Sequence, residues 1–120
     1  MSVTTAHYLS LLKVELRDLL EDISIVEDQL RKRFEAAEIS SYVYRENDVV
    51  LRREMESIEN FLPLIDAIRP DLYKDTELLV PVLLAELGIQ LKRNGGPEAV
   101  VELVKRKMLK LSEFLRTLDS

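Results

Sequence analysis

Residues 9–37 read LSLLKVELRDLLEDISIVEDQLRKRFEAA, and the spacing within them decides the fold. Leu9, Leu12, Leu16, Leu19, Ile23, Val26, Leu30 and Ala37 recur at alternating steps of three and four, broken only where Arg33 takes a seam position beside Phe34. An α-helix turns once every 3.6 residues, so these side chains fall in one stripe, a heptad seam on a single long helix. Leu20 and Phe34 widen the stripe on one flank and Leu11 with Ile25 on the other, which suits a bundle core better than a narrow two-stranded coiled coil. Thr4 or Thr5 has the chemistry to cap the start, and a helix from there to about Glu38 would be roughly 50 Å long. Its outer face pairs Arg17 with Glu21, Glu27 with Arg31 and Asp28 with Lys32 at (i, i+4). Arg33, polar in the seam, marks where the helix leaves the core.

Downstream, Tyr44, Leu51, Met55, Ile58, Leu62 and Ile65 keep the same spacing after a cap at Ser40 or Ser41. Asn47-Asp48 has poor helix propensity, and Tyr42-Val43-Tyr44 and Val49-Val50-Leu51 around it could form a hairpin, but the longer periodicity favours a helix. Pro63 is expected to kink that helix or to begin a short new one capped by Asn60. Residues 69–75 read as a connection. Asp75 or Thr76 opens a third helix whose first turns, Leu78 to Ala85, have no polar face, so it is expected to be the most enclosed of the set. Asn94-Gly95-Gly96-Pro97 punctuates strongly: glycine ends one helix and proline can start the next. Val101, Val104, Met108, Leu111, Leu115 and Leu118 give the last helix its seam.

With 120 residues, 47% hydrophobic and 32% charged, the chain is sized for one domain with one core over residues 1–120, and only three Gly and four Pro argue against a sheet-rich fold. The expected architecture is all-α: a four-helix, mostly antiparallel bundle with a long N-terminal helix. The absence of Cys removes disulfides, thiolate metal sites and cysteine nucleophiles. Met1 to Ala6 lacks the basic and apolar regions of a signal peptide, and the longest apolar run, Leu78 to Leu91, is too short to cross a bilayer, which together predict a cytoplasmic protein. Net charge is −5, with 8 basic and 13 acidic groups in residues 1–60 and 9 of each in residues 61–120. That distribution offers no broad footprint for nucleic acid or anionic lipid.

The side chains that could carry chemistry are few. His7 is the only histidine. Histidine-phosphotransfer modules place their reactive His mid-helix, with Lys and Gly close behind, whereas Ala6-His7-Tyr8 lies at a helix start; His7 is expected to be a solvated terminal side chain. All-α nucleotide pyrophosphohydrolases hold Mg²⁺ with Glu-Glu-x-x-Glu and Glu-x-x-Asp on facing helices. Glu15-x-x-Asp18 and Glu56-x-x-Glu59 have such spacing, but Glu21-Asp22 is followed by Ile25 where a third acid should stand, so a metal-dependent enzyme is the alternative reading. A di-iron site needs two Glu-x-x-His pairs, and a serine triad needs a histidine base, which one terminal His cannot supply. No glycine spacing fits a phosphate loop. Lys105-Arg106-Lys107 and Lys110, with Lys92 and Arg93, give six basic against two acidic groups between residues 88 and 111, but Glu102 and Glu113 interrupt the face.

The leading expectation is therefore a non-enzymatic helical module for protein–protein interaction, such as an adaptor, chaperone-like protein or regulatory subunit, with no cofactor and no metal. Two surfaces are candidates. Tyr42, Tyr44, Arg45, Arg52 and Arg53 mix aromatic and guanidinium groups, as binding hot spots do, unless Tyr44 packs inside and the arginines pair with Glu46, Glu54 and Glu56. Leu79, Val82 and Leu83 of the apolar third helix, with Leu20 and Ile25 on the flanks of the first, are the surfaces through which a symmetric homodimer is expected, because the first helix outruns the last.

Overall fold

Thr4 accepts a hydrogen bond from the His7 backbone N–H through its hydroxyl (3.1 Å) and starts the first helix, α1, at Thr5–Glu35. The computed structural model describes residues 4–119. Three further helices follow: α2 at Ser41–Ala67, α3 at Thr76–Asn94 and α4 at Ala99–Asp119, with a short 3-10 turn at Pro70–Leu72 between α2 and α3. Ser40 caps α2 and Asp75 caps α3, each by accepting from a backbone N–H three residues on (both 3.1 Å). No strand occurs among the described residues. The architecture is an all-α, four-helix antiparallel bundle with the long helix first, as the periodicity predicted.

Residues 42–51 are helical throughout. Asn47 and Asp48 are accommodated by giving their polar groups work: Asn47 Nδ2 donates to the Val43 carbonyl (2.7 Å) and Asp48 pairs with Arg52 one turn on (2.9 Å). Of the two expectations at Pro63, a separate short helix does not form, and α2 continues to Ala67. Proline deletes one backbone hydrogen bond, and burial of Phe61 and Ile65 on either side holds the helix against that loss. The last helix begins at Ala99, two residues after Pro97.

The ends of α3 and α1 both close on a left-handed residue, and α1 does so as a full Schellman turn. At α3, Gly95 takes φ +65° and Gly96 N–H bonds to the Leu91 carbonyl (3.1 Å). At α1, Ala37 takes φ +59°, its N–H bonding to Phe34 and that of Glu38 to Arg33 (3.0 and 2.9 Å). This ends α1 three residues short of Glu38, at about 46 Å for its 31 residues.

The core is one cluster: Tyr8, Leu9, Leu12, Leu16, Leu19 and Ile23 of α1; Ile58, Phe61 and Ile65 of α2; Leu79, Leu83, Leu87 and Leu91 of α3; Val100, Val104, Met108, Leu111 and Leu115 of α4. Tyr8 is buried with its hydroxyl donating to the Met108 carbonyl (3.1 Å), and burial pushes its phenol up from the ordinary value. Thr5 Oγ1 ties α1 to the 3-10 turn through the Pro70 carbonyl (2.9 Å). The third helix buries Leu79, Leu83 and Leu87 completely but is not surrounded, since its Leu78 and Ile89 are about half exposed. α3 lies at one corner of the bundle, so its apolar circumference exceeds what its neighbours cover.

The buried part of the α1 seam ends at Ile23, ten residues earlier than a seam leaving the core at Arg33 requires. No residue from 24 to 56 is buried. The reason is the place where α3 turns into α4. Gly96 packs on Ser57 of α2 so closely that an added Cβ would come within 2.5 Å of Ser57 Oγ and Leu91 Cδ2. Beyond that turn only α1 and α2 continue, as a two-helix arm on a molecule 55 × 31 × 18 Å in extent.

Candidate functional site

The arm comprises residues 24–35 of α1, the α1–α2 turn, and residues 41–56 of α2. Two contacts set its register. Phe34 and Tyr44 stack near the tip, ring centroids 4.6 Å apart and 4° from parallel. Nearer the bundle, Arg52 Nε lies 2.9 Å from Asp48 Oδ2 and 3.2 Å from Glu27 Oε2 of α1. Glu27 and Asp48 approach each other across the helices, and each keeps one buried oxygen without a hydrogen-bond partner. Burial, then the adjacent Asp48 carboxylate, push Glu27 above the usual carboxylate range, with Arg52 opposing. Asp28 is held below its usual range, chiefly by a hydrogen bond from Lys32 (3.0 Å).

One face of this arm is open and sets apolar side chains among polar ones, Asn47 and Glu54 continuing the line of Phe61. Glu15 pairs with Lys107 of α4 (3.5 Å), and Leu19, Asp22, Val26 and Arg33 follow it at helical spacing on the same side of α1. Along that stripe cover by α4 is lost between Leu19, 8% exposed, and Val26, 48% exposed. On α2, Ser57 touches Gly96 and Leu64 lines a groove with Glu86 and Gln90 of α3, so the heptad Val43, Val50, Ser57, Leu64 is the α3-facing side. Val43 and Val50, above the turn, are 40% and 48% exposed. Leu30 and Leu51 lie between the two stripes, half-buried. The arm thus carries the α3- and α4-binding faces of its two helices past the point where α3 and α4 stop.

The residues expected at interfaces divide. Tyr42 is 72% exposed on the outer side of α2, while Tyr44 is occupied by Phe34. Arg52 pairs with Asp48 and Glu27 rather than with Glu46, Glu54 or Glu56, because its partners lie one turn back and across the arm. Arg45 and Arg53 are exposed on the arm. Leu79 and Leu83 are fully buried in the core, and Leu20 packs against it half-buried, so these three are not open surface in this fold. Val82 lines a groove of about 350 Å³ with Phe61, Leu64 and Tyr73. Ile25 stands half exposed on the outer side of α1, away from the open face. The residues missed were Val26, which belongs to the α1 seam and read as core, and Val43 and Val50, which stand beside the α2 seam and read only as parts of a possible hairpin.

Elsewhere the chemistry is sparse. Glu15 is engaged by Lys107, and Asp18, Glu56 and Glu59 are exposed. Among the described residues no three His, Asp or Glu side chains gather as metal ligands, and no helix is long and apolar enough to cross a membrane. The basic residues near the α3–α4 turn do not form one surface: Lys92 shares its groove with Glu98 and Glu102, and Lys107 turns toward Glu15. Of the three expected (i, i+4) pairs on α1, Asp28 with Lys32 forms; Arg31 pairs with Asp28 and Glu35. No protein-family model matches the chain, and no curated protein or solved structure matches it.

Proposed function

We propose that the chain is a non-enzymatic helical interaction module whose working surface is the open face of the α1–α2 arm. The observation that supports this is the exposure of Val26, Val43 and Val50, above the α3–α4 turn, on the helix sides that α4 and α3 cover lower down. A face of heptad spacing on two helices is complementary to further helices, packed as α3 and α4 pack on the same stripes. The partner is therefore a protein presenting one or two amphipathic helices, and self-association, expected from the unequal helix lengths, is one form of such binding. An adaptor or chaperone-like role follows from the division of labour, in which the bundle supplies stability and the arm supplies contact.

The test is affinity capture from the native host with three baits: wild type, Val26→Glu/Val50→Glu on the open face, and Ile89→Glu on α3. A partner held by wild type and Ile89→Glu and released by the arm variant supports the reading. A partner held equally by all three baits overturns it.

A further inference from the structure

We infer that the polar groove between α2 and α3 is a binding site for a small α-amino acid with an apolar side chain, its ammonium group at Glu86 and its carboxylate at Arg93. The site lies apart from the arm and does not depend on the arm's being the working surface.

Gln90 is the residue that marks it. It is 9% exposed and stands on α3 where Leu79, Leu83, Leu87 and Leu91 fill the other core positions. Its Oε1 atom is buried and has no hydrogen-bond partner among the described residues. An amide oxygen buried without a donor destabilises the fold relative to leucine at the same place, and natural sequences break that rule mostly at functional or strained sites. Gln90 forms part of the wall of a groove of about 220 Å³, together with Asn60 of α2 and Glu86, Arg93 and Asn94 of α3. None of these five side chains makes a hydrogen bond or ion pair within the described residues.

Spacing on α3 puts them in order. Glu86, Gln90 and Arg93 follow one another at steps of four and three, so one face of the helix presents an acid, an amide and a guanidinium in line. About 10 Å of helix separates the first from the last, and no ion pair closes that gap. An α-amino acid carries its two opposite charges on neighbouring carbons and fits between them. Its ammonium group donates to Glu86 and, after a small turn of the Gln90 side chain, to Oε1; its carboxylate accepts from the planar fork of Arg93. A single water would satisfy Gln90 but would use neither charge.

Size and continuity choose the rest of the ligand. The groove has the volume of about seven waters at liquid density, below that of a drug-sized pocket. Leu64 and Glu86 also line the neighbouring groove of about 350 Å³, whose wall includes Phe61, Val82 and Leu83. A side chain that leaves the ligand beside Glu86 therefore enters apolar surroundings.

The probes are L-leucine, L-leucinamide, which lacks the carboxylate, and N-acetyl-L-leucine, which lacks the ammonium group. They separate a free amino acid from the first or last residue of a peptide. Each is titrated to about 10 mM into ¹⁵N-labelled protein, a range that fills a site with a Kd of about 1 mM. L-leucine should give saturable shifts centred on the backbone amides of Asn60, Leu64, Glu86, Gln90 and Arg93, with each blocked form about tenfold weaker or more. Glu86→Gln and Arg93→Gln, at exposed positions that leave the core intact, should each weaken L-leucine about tenfold. Gln90→Leu should abolish binding while raising the midpoint in urea, since stability and binding oppose one another at that position. No saturable shift with any probe overturns the site. Blocked forms that bind as well as L-leucine overturn recognition of both charges, and binding that survives both charge substitutions overturns its placement at Glu86 and Arg93.

Discussion

Ala37 holds a left-handed backbone, φ +59°, at the position of its Schellman turn that glycine fills at Gly95 on the other side of the molecule. A Cβ there crowds the following carbonyl, and only the closing hydrogen bonds to Phe34 and Arg33 keep the residue in place. Ala37→Gly should therefore raise stability by about 0.5–1 kcal/mol, read as a higher midpoint in urea. Gly96 is the opposite case, since nothing larger fits between Ser57 and Leu91. Gly96→Ala should cost about 1–3 kcal/mol by the same measurement, because Ser57 is tied to the Arg53 carbonyl (2.8 Å) and cannot swing freely aside. The two positions also show what a sequence makes legible. Thr4, Ser40, Asp75 and Gly95 announce their roles through side-chain chemistry or its absence, and all four were readable. Ala37 announces nothing, so the end of α1 was placed three residues late.

Within α2 and α1, the element-scale question is how two carboxylates come to share one arginine. Glu27 is raised by burial and by Asp48, so its charged form is less favourable in the folded arm than in the unfolded chain. A carboxyl raised in this way contributes stability that is full below its unfolded pKa and lost as pH climbs through the folded value. The arm should accordingly tighten on mild acidification from neutral pH, down to the ordinary glutamate range, before the loss of pairs such as Asp28 with Lys32 reverses the trend at lower pH. Glu27→Gln supplies a donor for the unpartnered Asp48 oxygen and removes one of two like charges. We expect on the order of 0.5–1 kcal/mol of added stability at pH 7 and a flatter profile between pH 7 and the glutamate range, measured by thermal melts at a series of pH values. None of this was legible beforehand. Proximity in sequence offers Arg45, Arg52 and Arg53 the partners Glu46, Glu54 and Glu56, and the second partner Arg52 takes, Glu27, is a neighbour only after α1 and α2 pair.

At the scale of the whole molecule, the heptads predicted four helices and their apolar sides correctly, but not how far the cover extends. Val26 obeys the same spacing as Leu19, and nothing in the spacing says that α4 reaches one and not the other. That depends on where the Gly95-Gly96 turn seats on α2, a fact of three-dimensional packing. One consequence concerns time rather than shape. Since α1 is a single helix running from a fully covered half into an uncovered one, its hydrogen-bond ladder is uniform while its support is not. The amides of residues 24–35 and 41–56 can open by fraying of the arm alone, whereas those of residues 8–23 and 57–65 open only when the core does. Deuterium uptake should divide α1 near Ile23, with protection falling by about two orders of magnitude or more across one helical turn in dilute protein. Uniform protection along the whole of α1 in dilute solution would mean that the arm and the bundle breathe as one unit. A divided α1 makes the arm a segment whose ordering free energy is spent at each encounter, so that substitutions stiffening it, Ala37→Gly among them, would tighten association without touching the contact.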